Sequence, residues 1–240
     1  MATSYFVLSR PKTSDVQETY NEDLVYAKNK NCYILPSNLL SCYATDGLFE
    51  NGLIEWCKQF CTKDKIFLDI GAHTGTYTIS LAECASHVHA FEPQKMTYYS
   101  LCGGVALSNL TNVTCHQFGL GSEEQVGVQT LRIISNDGGG SSIQNQEGVI
   151  ALSTEEVEIR TLDSLELDNI GFIKIDVEDN EVYALKGGIK TMERCGYPPI
   201  VYECNDASKN KDLWEFLTSL EFTIIKIAGV ENMYLATKNG

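Results

Sequence analysis

The sequence predicts an α/β fold in which a mostly parallel central sheet is flanked by helices. From Lys65 onward, short apolar runs alternate with stretches of helical periodicity, the pattern of parallel strands joined by crossover helices. The composition, 43% hydrophobic and 21% charged over 240 residues, is that of an ordinary globular protein. No repeat or charge block divides the chain, so we expect a main domain over residues 65–240 with an N-terminal cap over residues 1–64.

The elements of the cap and of the first half follow from periodicity. A strand-like run occupies residues 32–35, and apolar side chains share one helical face over residues 48–60. Strands and helices then alternate in the main domain. We expect strands at residues 66–70, 87–91 and 113–118, and helices at residues 75–83 and 95–108.

The second half continues the alternation after an insertion. We expect strands at residues 172–177 and 200–203, helices at residues 180–194 and 212–220, and a closing strand pair at residues 222–227 and 233–237. Between the halves, residues 125–134 and 149–160 are predicted to form an inserted β-hairpin. Its polar loop at residues 138–142 is either a lid over a site or a mobile hairpin tip.

Charge and composition exclude several classes of function. Lys and Arg number 18 against 32 Asp and Glu, a net charge of -14, which opposes binding to nucleic acid. No apolar run is long enough for a membrane helix or a signal-peptide core. The odd number of cysteines, nine, favours reduced thiols. We therefore expect a cytoplasmic protein.

A glycine-rich turn follows the first strand of the main domain. Residues 66–76 are predicted to form a buried strand, this turn and the start of a helix. Ligands bind at such turns in doubly wound sheets, where Gly71 permits close approach of the backbone and Gly75 lets the helix start near the strand. The spacing differs from the G-x-G-x-x-G of dinucleotide binders, and Asp69 before the turn has the wrong charge to face a pyrophosphate.

The second strand of the main domain ends in an acidic residue. Glu92 lies 21 positions beyond Gly71, where a carboxylate accepts hydrogen bonds from both hydroxyls of an adenosine ribose. Asp69 suits a ligand with a cationic amino group or sulfonium, so the two carboxylates together predict a site for S-adenosylmethionine (SAM). The alternatives are that Asp69 caps its own turn and that Glu92 is a solvated strand end.

Six blocks of the chain resemble the FkbM-type SAM-dependent methyltransferases. In chain order they are Asp46-Gly47-Leu48-Phe49-Glu50, Leu68-Asp69-Ile70-Gly71-Ala72-His73-Thr74-Gly75, Phe91-Glu92-Pro93, Thr161-Leu162-Asp163, Ile173-Lys174-Ile175-Asp176-Val177-Glu178 and Tyr202-Glu203. The resemblance implies a Rossmann-like class I methyltransferase fold with a seven-stranded sheet. It also implies O-methylation of a sugar or of a glycosylated or polyketide metabolite, with a small-molecule or glycan acceptor.

The resemblance also assigns residues to the site. We expect the cofactor to contact Asp69, Gly71, Ala72, His73, Thr74, Gly75, Phe91, Glu92 and Glu50. Two positions depart from the family pattern, because His73 stands where Asn is usual and Asp179-Asn180 replace Gly-Ala. Asp and Asn both tolerate left-handed or capping geometry, so we expect the second turn to survive.

Catalytic candidates lie at the ends of the later strands. Asp176 or Glu203 is the expected base for the acceptor hydroxyl, and Lys174 either stabilises an alkoxide or pairs with a carboxylate. His73, in the cofactor turn, either moves a proton or contacts the helix start. Asp176, Glu203 and Asn205 also offer three oxygen ligands for Mg²⁺ or Mn²⁺, as in catechol-type O-methyltransferases. A non-catalytic SAM-fold binding subunit is the remaining alternative.

Overall fold

The computed structural model of this chain describes residues 4–11, 30–145, 148–204 and 207–238. Its strands are β1 (Tyr5–Pro11), β2 (Lys30–Pro36), β3 (Ile66–Ile70), β4 (His87–Phe91), β5 (Val113–His116), β6 (Gly119–Leu120), β7 (Gly127–Ile133), β8 (Ser153–Arg160), β9 (Ile170–Ile175), β10 (Ile200–Glu203), β11 (Thr223–Lys226) and β12 (Met233–Thr237). Its helices are α1 (Leu40–Asp46), α2 (Asn51–Cys57), α3 (Thr76–Leu81), α4 (Lys95–Leu107), α5 (Glu181–Lys186), α6 (Ile189–Arg194) and α7 (Ala207–Ser219). Within these described ranges, no helix is both long and apolar enough to cross a membrane.

The central sheet has seven strands in the order β11-β12-β10-β9-β3-β4-β5. The strands from β10 to β5 are parallel, and β12 runs antiparallel to both of its neighbours. This confirms the predicted Rossmann-like architecture and its closing strand pair. The chain builds outward from β3 through β4 to β5 and later returns to place β9 on the other side of β3. The strand order therefore reverses at β3, where doubly wound sheets bind ligands.

Apolar side chains cover both faces of the sheet. One face packs against α2, α3 and α4, and the other against α5, α6 and α7. At the centre, Phe67 and Phe172 are neighbours on β3 and β9, and their rings stack with centroids 5.2 Å apart. Phe60 stacks on the same Phe172 ring at 5.3 Å. Within the range predicted to be helical, residues 48–60, α2 ends at Cys57 and a 3-10 turn ends at Phe60, and the aromatic packing fixes this turn to the main sheet.

The N-terminal segment adds a two-stranded ribbon that the sequence pattern predicted only in part. β2 matches the predicted strand, and β1 pairs with it antiparallel, which was not predicted. The ribbon lies close to α4 because Gly104 has no side chain; a Cβ there would lie 3.0 Å from the Cys32 carbonyl oxygen. The Ser108 hydroxyl accepts the Cys32 N–H at 2.8 Å. The domain boundary at residue 64 stays a prediction.

The single helix predicted over residues 180–194 is wrong. α5 ends at Lys186 and α6 begins at Ile189, with Gly187 and Gly188 between them. A Cβ on Gly187 would lie 2.0 Å from the Gly121 carbonyl oxygen, so the chain bends where it touches another segment. The apolar period runs on across the two glycines, which is why periodicity alone missed the break.

The insertion between β5 and β9 forms its own small sheet. β7 and β8 are antiparallel, as predicted for the inserted hairpin, and the unpredicted β6 pairs with β8 to make three strands. Leu131, Val157 and Ile159 form its buried apolar cluster. The Lys95 N–H donates to the Glu155 carboxylate at 3.1 Å, which joins this sheet to the start of α4.

Replacing Phe172 with alanine should lower the free energy of unfolding by about 3 to 5 kcal/mol. The residue is fully buried between two stacked rings, so its loss leaves a cavity at the centre of the fold. Urea unfolding followed by circular dichroism measures the change. Val128→Ala is the control, because this side chain is 66% exposed and its truncation should cost less than about 0.5 kcal/mol. Equal losses in the two variants would contradict the proposed central role of Phe172.

Candidate active site

A cavity of about 330 Å³ opens at the carboxyl ends of β3, β4, β9 and β10. Its walls come from these strand ends, from the insertion and from the segment before β3. Among the described residues its lining includes six carboxylates and only one lysine, Lys174. The carboxylates are those of Glu50, Glu92, Asp137, Asp176, Glu178 and Glu203. A cavity of this size, with a mainly acidic lining, suits a small cationic or neutral ligand.

The glycine turn after β3 is shaped by a close contact with the end of β9. Gly71 has a φ of 79°, and a Cβ there would lie 1.8 Å from the Asp176 carbonyl oxygen, so only glycine fits. The N–H groups of Gly71 and Ala72 both donate to the Phe91 carbonyl, at 3.0 and 2.9 Å. The turn therefore joins the ends of β3, β4 and β9.

Glu92 is buried at the end of β4 with a carboxylate that faces the turn. One oxygen accepts the His73 N–H at 2.8 Å, and the other accepts the Gln94 N–H at 2.8 Å. Burial raises the pKa of Glu92, and the neighbouring His73 and the backbone donors only partly offset that rise. Because each carboxylate oxygen can accept more than one hydrogen bond, Glu92 keeps acceptor capacity on its cavity side.

His73 connects this turn to the loop of the inserted hairpin. It adopts a left-handed φ of 51°, and its Nε2 donates to the Asp137 carbonyl at 2.7 Å, which fixes the proton on that nitrogen. The Thr74 hydroxyl lies 3.4 Å from Nδ1. The imidazole thus faces the loop and holds it over the cavity.

This loop, residues 134–142, is called the covering loop below. The Asn38 side chain donates to the Asp137 carboxylate at 2.5 Å, and on the opposite side the Gly140 N–H donates to the Glu178 carboxylate at 3.0 Å. The Ser142 hydroxyl also donates to the Glu178 carbonyl. These attachments, and its place in the cavity lining, favour the lid over the mobile tip.

Two of the predicted cofactor residues lie beneath the cavity wall. The buried Asp69 accepts the Thr78 N–H at 2.9 Å and the Thr78 hydroxyl at 2.5 Å, so it caps the first turn of α3. A Cβ on Gly75 would lie 2.5 Å from the Leu101 side chain, so this glycine serves the packing of α3 on α4. The cavity is lined by the others: Glu50, Gly71, Ala72, His73, Thr74, Phe91 and Glu92.

Lys174 is buried between the carboxylates of the cavity floor. Its ammonium lies 3.2 Å from the Asp176 carboxylate and 3.4 Å from the Gly71 carbonyl, and 4.9 Å from the centre of the Tyr77 ring. Burial by itself lowers the pKa of Lys174, but the charges of Asp176, Asp69 and Glu50 outweigh it and hold the pKa above its ordinary value. Lys174 is therefore a permanent cation and pairs with Asp176.

Glu50 joins the same network from the N-terminal segment. The Tyr77 hydroxyl donates to its carboxylate at 2.9 Å. Burial raises the pKa of Glu50, against the lowering effect of Lys174 and of this hydrogen bond. Glu50 thus closes the floor of the cavity on the side of α2.

Three carboxylates meet at the ends of β9 and β10, and we call them the carboxylate cluster. Asp176, Glu178 and Glu203 each present an oxygen within 4.8 Å of the other two. Burial and the charge of Asp176 raise the pKa of Glu178 to about 7 and that of Glu203 to about 8. Such a cluster binds a proton, a cation or several hydroxyl groups.

The cluster overlaps only partly with the predicted metal ligands. Asp176 and Glu203 are present as predicted, whereas Asn205 lies outside the described residues. The third carboxylate is that of Glu178. The sequence pattern predicted no role for this residue, although it ends the family-like stretch over residues 173–178. It reaches the cavity because the chain after β9 turns left-handed, with φ values of 52° at Glu178 and 76° at Asp179. The turn thus survives without glycine, as expected.

Comparison with known proteins identifies the family of the main domain. A family model described as the methyltransferase FkbM domain matches residues 69–224. An rRNA methylase from Streptococcus thermophilus is 12% identical, with 78% of this chain and 95% of that chain covered at a TM-score of 0.51. A ribosomal protein L11 methylase from Lactobacillus delbrueckii subsp. bulgaricus is 8% identical, with coverages of 78% and 77% at a TM-score of 0.50. No curated protein matches the sequence. The two structures are similar in fold, which is the class I methyltransferase fold.

The raised pKa of Glu203 predicts a specific pH dependence of stability. Between its ordinary pKa of 4.5 and its folded pKa of about 8, the folded state keeps a proton that the unfolded state releases. This contribution to stability is therefore lost as the pH rises through that window. Glu203→Gln lacks this titration. The variant's free energy of unfolding minus that of wild type should therefore be about 1 to 2 kcal/mol larger at pH 8.5 than at pH 5, after discounting for solvent screening, which means that the variant gains stability relative to wild type as the pH rises.

Urea unfolding of wild type and variant at several pH values measures this difference. The exposed Glu156→Gln is the control and should track wild type at every pH. A difference between Glu203→Gln and wild type that stays constant from pH 5 to 8.5 would refute the assignment.

Proposed function

The chain belongs to the FkbM methyltransferase family, whose members are SAM-dependent, and we propose that it methylates a hydroxyl group of a sugar, a glycan or a glycosylated metabolite. The observation that carries this proposal is that one cavity has Glu92 at the end of β4 and the carboxylate cluster at the ends of β9 and β10. The end at Glu92 suits the nucleoside of a cofactor. The end at the carboxylate cluster suits an acceptor with hydroxyl groups, because a carboxylate there can take the proton that the hydroxyl loses.

The residues present fit SAM. Glu92 has lone pairs for the two ribose hydroxyls, and the glycine turn brings backbone close to the ligand without side-chain obstruction. The acidic lining complements the positive charge on the sulfonium and on the amino group of SAM. In this proposal Gly71, Ala72, His73, Thr74, Phe91, Glu92 and Glu50 contact the cofactor, and Asp69 and Gly75 shape the turn from below.

The carboxylate cluster supplies what a hydroxyl acceptor needs. SAM when bound supplies an electrophilic methyl group, and the protein must position the acceptor oxygen and take its proton. We assign the base to Glu203, one of the three carboxyl groups that meet at the ends of β9 and β10. Because its pKa is about 8, it accepts a proton mainly at alkaline pH, and methyl transfer should be fastest there. Asp176 is held by Lys174 and accepts a hydrogen bond from the acceptor hydroxyl. Lys174 itself carries no lone pair for this task.

The same lining supports a neutral acceptor over a phosphorylated one. The lining has six carboxyl groups against one lysine, so it remains acidic even where some of these groups hold a proton, and the net charge of -14 adds to the repulsion of phosphate. Phe49, which is 60% exposed, and Tyr43 also line the cavity and offer aromatic faces to the C–H surface of a sugar ring. A sugar with free hydroxyls is neutral and has such a C–H surface, whereas an RNA acceptor carries the phosphates that this lining repels.

Two substitutions should separate cofactor binding from methyl transfer. Glu92→Ala should weaken binding of S-adenosylhomocysteine (SAH) at least tenfold, because the carboxylate for the ribose is lost. Glu203→Gln should leave SAH affinity within about twofold of wild type but lower the rate of methyl transfer by roughly 10²–10⁴, the usual contribution of a general base. Calorimetry with SAH measures the first effect. NMR detection of O-methylated product from SAM and a panel of neutral monosaccharides and glycans measures the second.

The exposed Glu55→Ala serves as the matched control in both assays. SAH binding without transfer to any acceptor would favour a non-catalytic binding subunit. Transfer to phosphorylated but not to neutral acceptors would refute the acceptor class, and a well-folded wild type that fails to bind SAH would refute the cofactor site.

A metal-dependent reaction is the second candidate, and the carboxylate cluster favours it. Three carboxylate oxygens within 4.8 Å of one another are ligands that Mg²⁺ and Mn²⁺ prefer. A divalent ion there would bind two neighbouring acceptor hydroxyls and acidify one of them. Asp176, Glu178 and Glu203 would then be ligands, and Glu203 would have no separate role as a base.

Metal binding is expected to depend on pH and on Glu178. Mn²⁺ should raise the melting temperature more at pH 8.5 than at pH 6, because Glu178 and Glu203 must lose their protons to bind it. Glu178→Gln should reduce this effect, and the exposed Glu156→Gln should not. Thermal melts with Mn²⁺ and with a chelator measure it. An equal shift for both variants, or activity that is unchanged by the chelator, would remove this candidate.

A further inference from the structure

Asn180 is a buried amide at the point where three segments of the chain meet. It is 3% exposed, it lines the cavity, and it directly precedes α5. Its Oδ1 accepts hydrogen bonds from Gln125 Nε2 at 2.8 Å and from Gln144 Nε2 at 2.7 Å. Its Nδ2 donates to the Leu120 carbonyl at 3.2 Å and to Gln125 Oε1 at 3.4 Å. We call the side chains of Asn180, Gln125 and Gln144 the amide junction.

The amide junction ties both ends of a long segment to the turn that follows β9. Gln125 precedes β7, where the chain enters the inserted hairpin, and its Oε1 also accepts the Ser122 N–H at 3.1 Å. Gln144 lies two residues beyond the covering loop, and its N–H donates to the Ser142 hydroxyl at 3.0 Å. Because all four hydrogen-bonding positions of the Asn180 carboxamide are used, the junction fixes these segments relative to one another.

The attachment of the covering loop at Glu178 lies next to this junction. The Gly140 N–H and the Ser142 hydroxyl both bind Glu178, two residues before Asn180. Glu178 and Asp179 are left-handed, a conformation that persists for such residues only where the surrounding contacts hold it. Asn180 supplies those contacts at the end of the turn. The hydrogen bonds of Asn38 and His73 on the other side of the loop do not involve it.

We infer that Asn180 is a positioning residue that keeps the covering loop closed over the carboxylate cluster, and that it thereby sets how fast a ligand enters and leaves the cavity. The inference rests on the proposed function for the identity of that ligand, which is the cofactor. The FkbM pattern has Ala where this chain has Asn180, and alanine forms none of these side-chain hydrogen bonds. The contact is therefore an addition to the family pattern.

Hydrogen exchange of the full chain, followed by mass spectrometry, measures opening of the loop without any ligand. Asn180→Ala should speed exchange of the backbone amides over residues 138–144 roughly tenfold, because hydrogen bonds that hold the closed loop are lost. Gln144→Ala removes only the loop's own bond to the junction, so it should act in the same direction even if Asn180→Ala folds poorly. The exposed Thr130→Ala on β7 is the matched control and should exchange like wild type.

Surface plasmon resonance with SAH measures the consequence for ligand exchange. In Asn180→Ala, association and dissociation of SAH should both be about tenfold faster, and the equilibrium affinity should stay within about twofold of wild type. Easier opening speeds passage in both directions but leaves the closed complex unchanged. A variant whose site is merely damaged would instead lose affinity through faster dissociation alone.

The outcomes separate this inference from the proposed function. Wild-type exchange over residues 138–144 in both Asn180→Ala and Gln144→Ala would overturn the inference and leave the cofactor site standing. Weaker SAH binding with an unchanged association rate would also overturn it. If folded wild type fails to bind SAH, the proposed function fails, and the exchange experiment still decides whether Asn180 holds the covering loop closed.

Discussion

The buried ammonium of Lys174 holds together segments that are far apart in the chain. It contacts the Asp176 carboxylate and the Gly71 carbonyl, and it lies over the ring of Tyr77, whose hydroxyl binds Glu50. Asp69, its cross-strand neighbour, adds a second negative charge below it. Removing one partner of a buried ion pair typically costs about 3 to 5 kcal/mol, because the other charge is left uncompensated. The glycine turn, the end of β9 and the N-terminal segment thus depend on one cation.

Much of the main domain could be predicted because each strand is a short apolar run bounded by polar residues. β3, β4 and β10 begin and end where the pattern placed them. The elements that were missed depend on contacts between residues far apart in the sequence. The break at Gly187 depends on a carbonyl of Gly121, more than sixty positions earlier, and no local pattern records that contact. β1 was missed because its partner strand lies beyond a long intervening segment.

The site was predictable to the extent that residue type and strand position decide it. Glu92 and Asp176 lie at strand ends, and both line the cavity. Asp69 also lies near a strand end, but its carboxylate turns toward Thr78, and only the backbone geometry distinguishes capping from ligand contact. Glu178 faces the cavity because of two consecutive left-handed residues, an unusual conformation for Glu and Asp that strand periodicity does not anticipate.

The two-sided attachment of the covering loop has a kinetic consequence. Its hydrogen bonds at His73 and at Glu178 lie on opposite sides of the cavity, so the loop cannot swing aside on one hinge while the other bond is intact. A molecule held beneath the loop would leave freely only once both attachments had broken, so the frequency of that opening, rather than diffusion, would set its residence time.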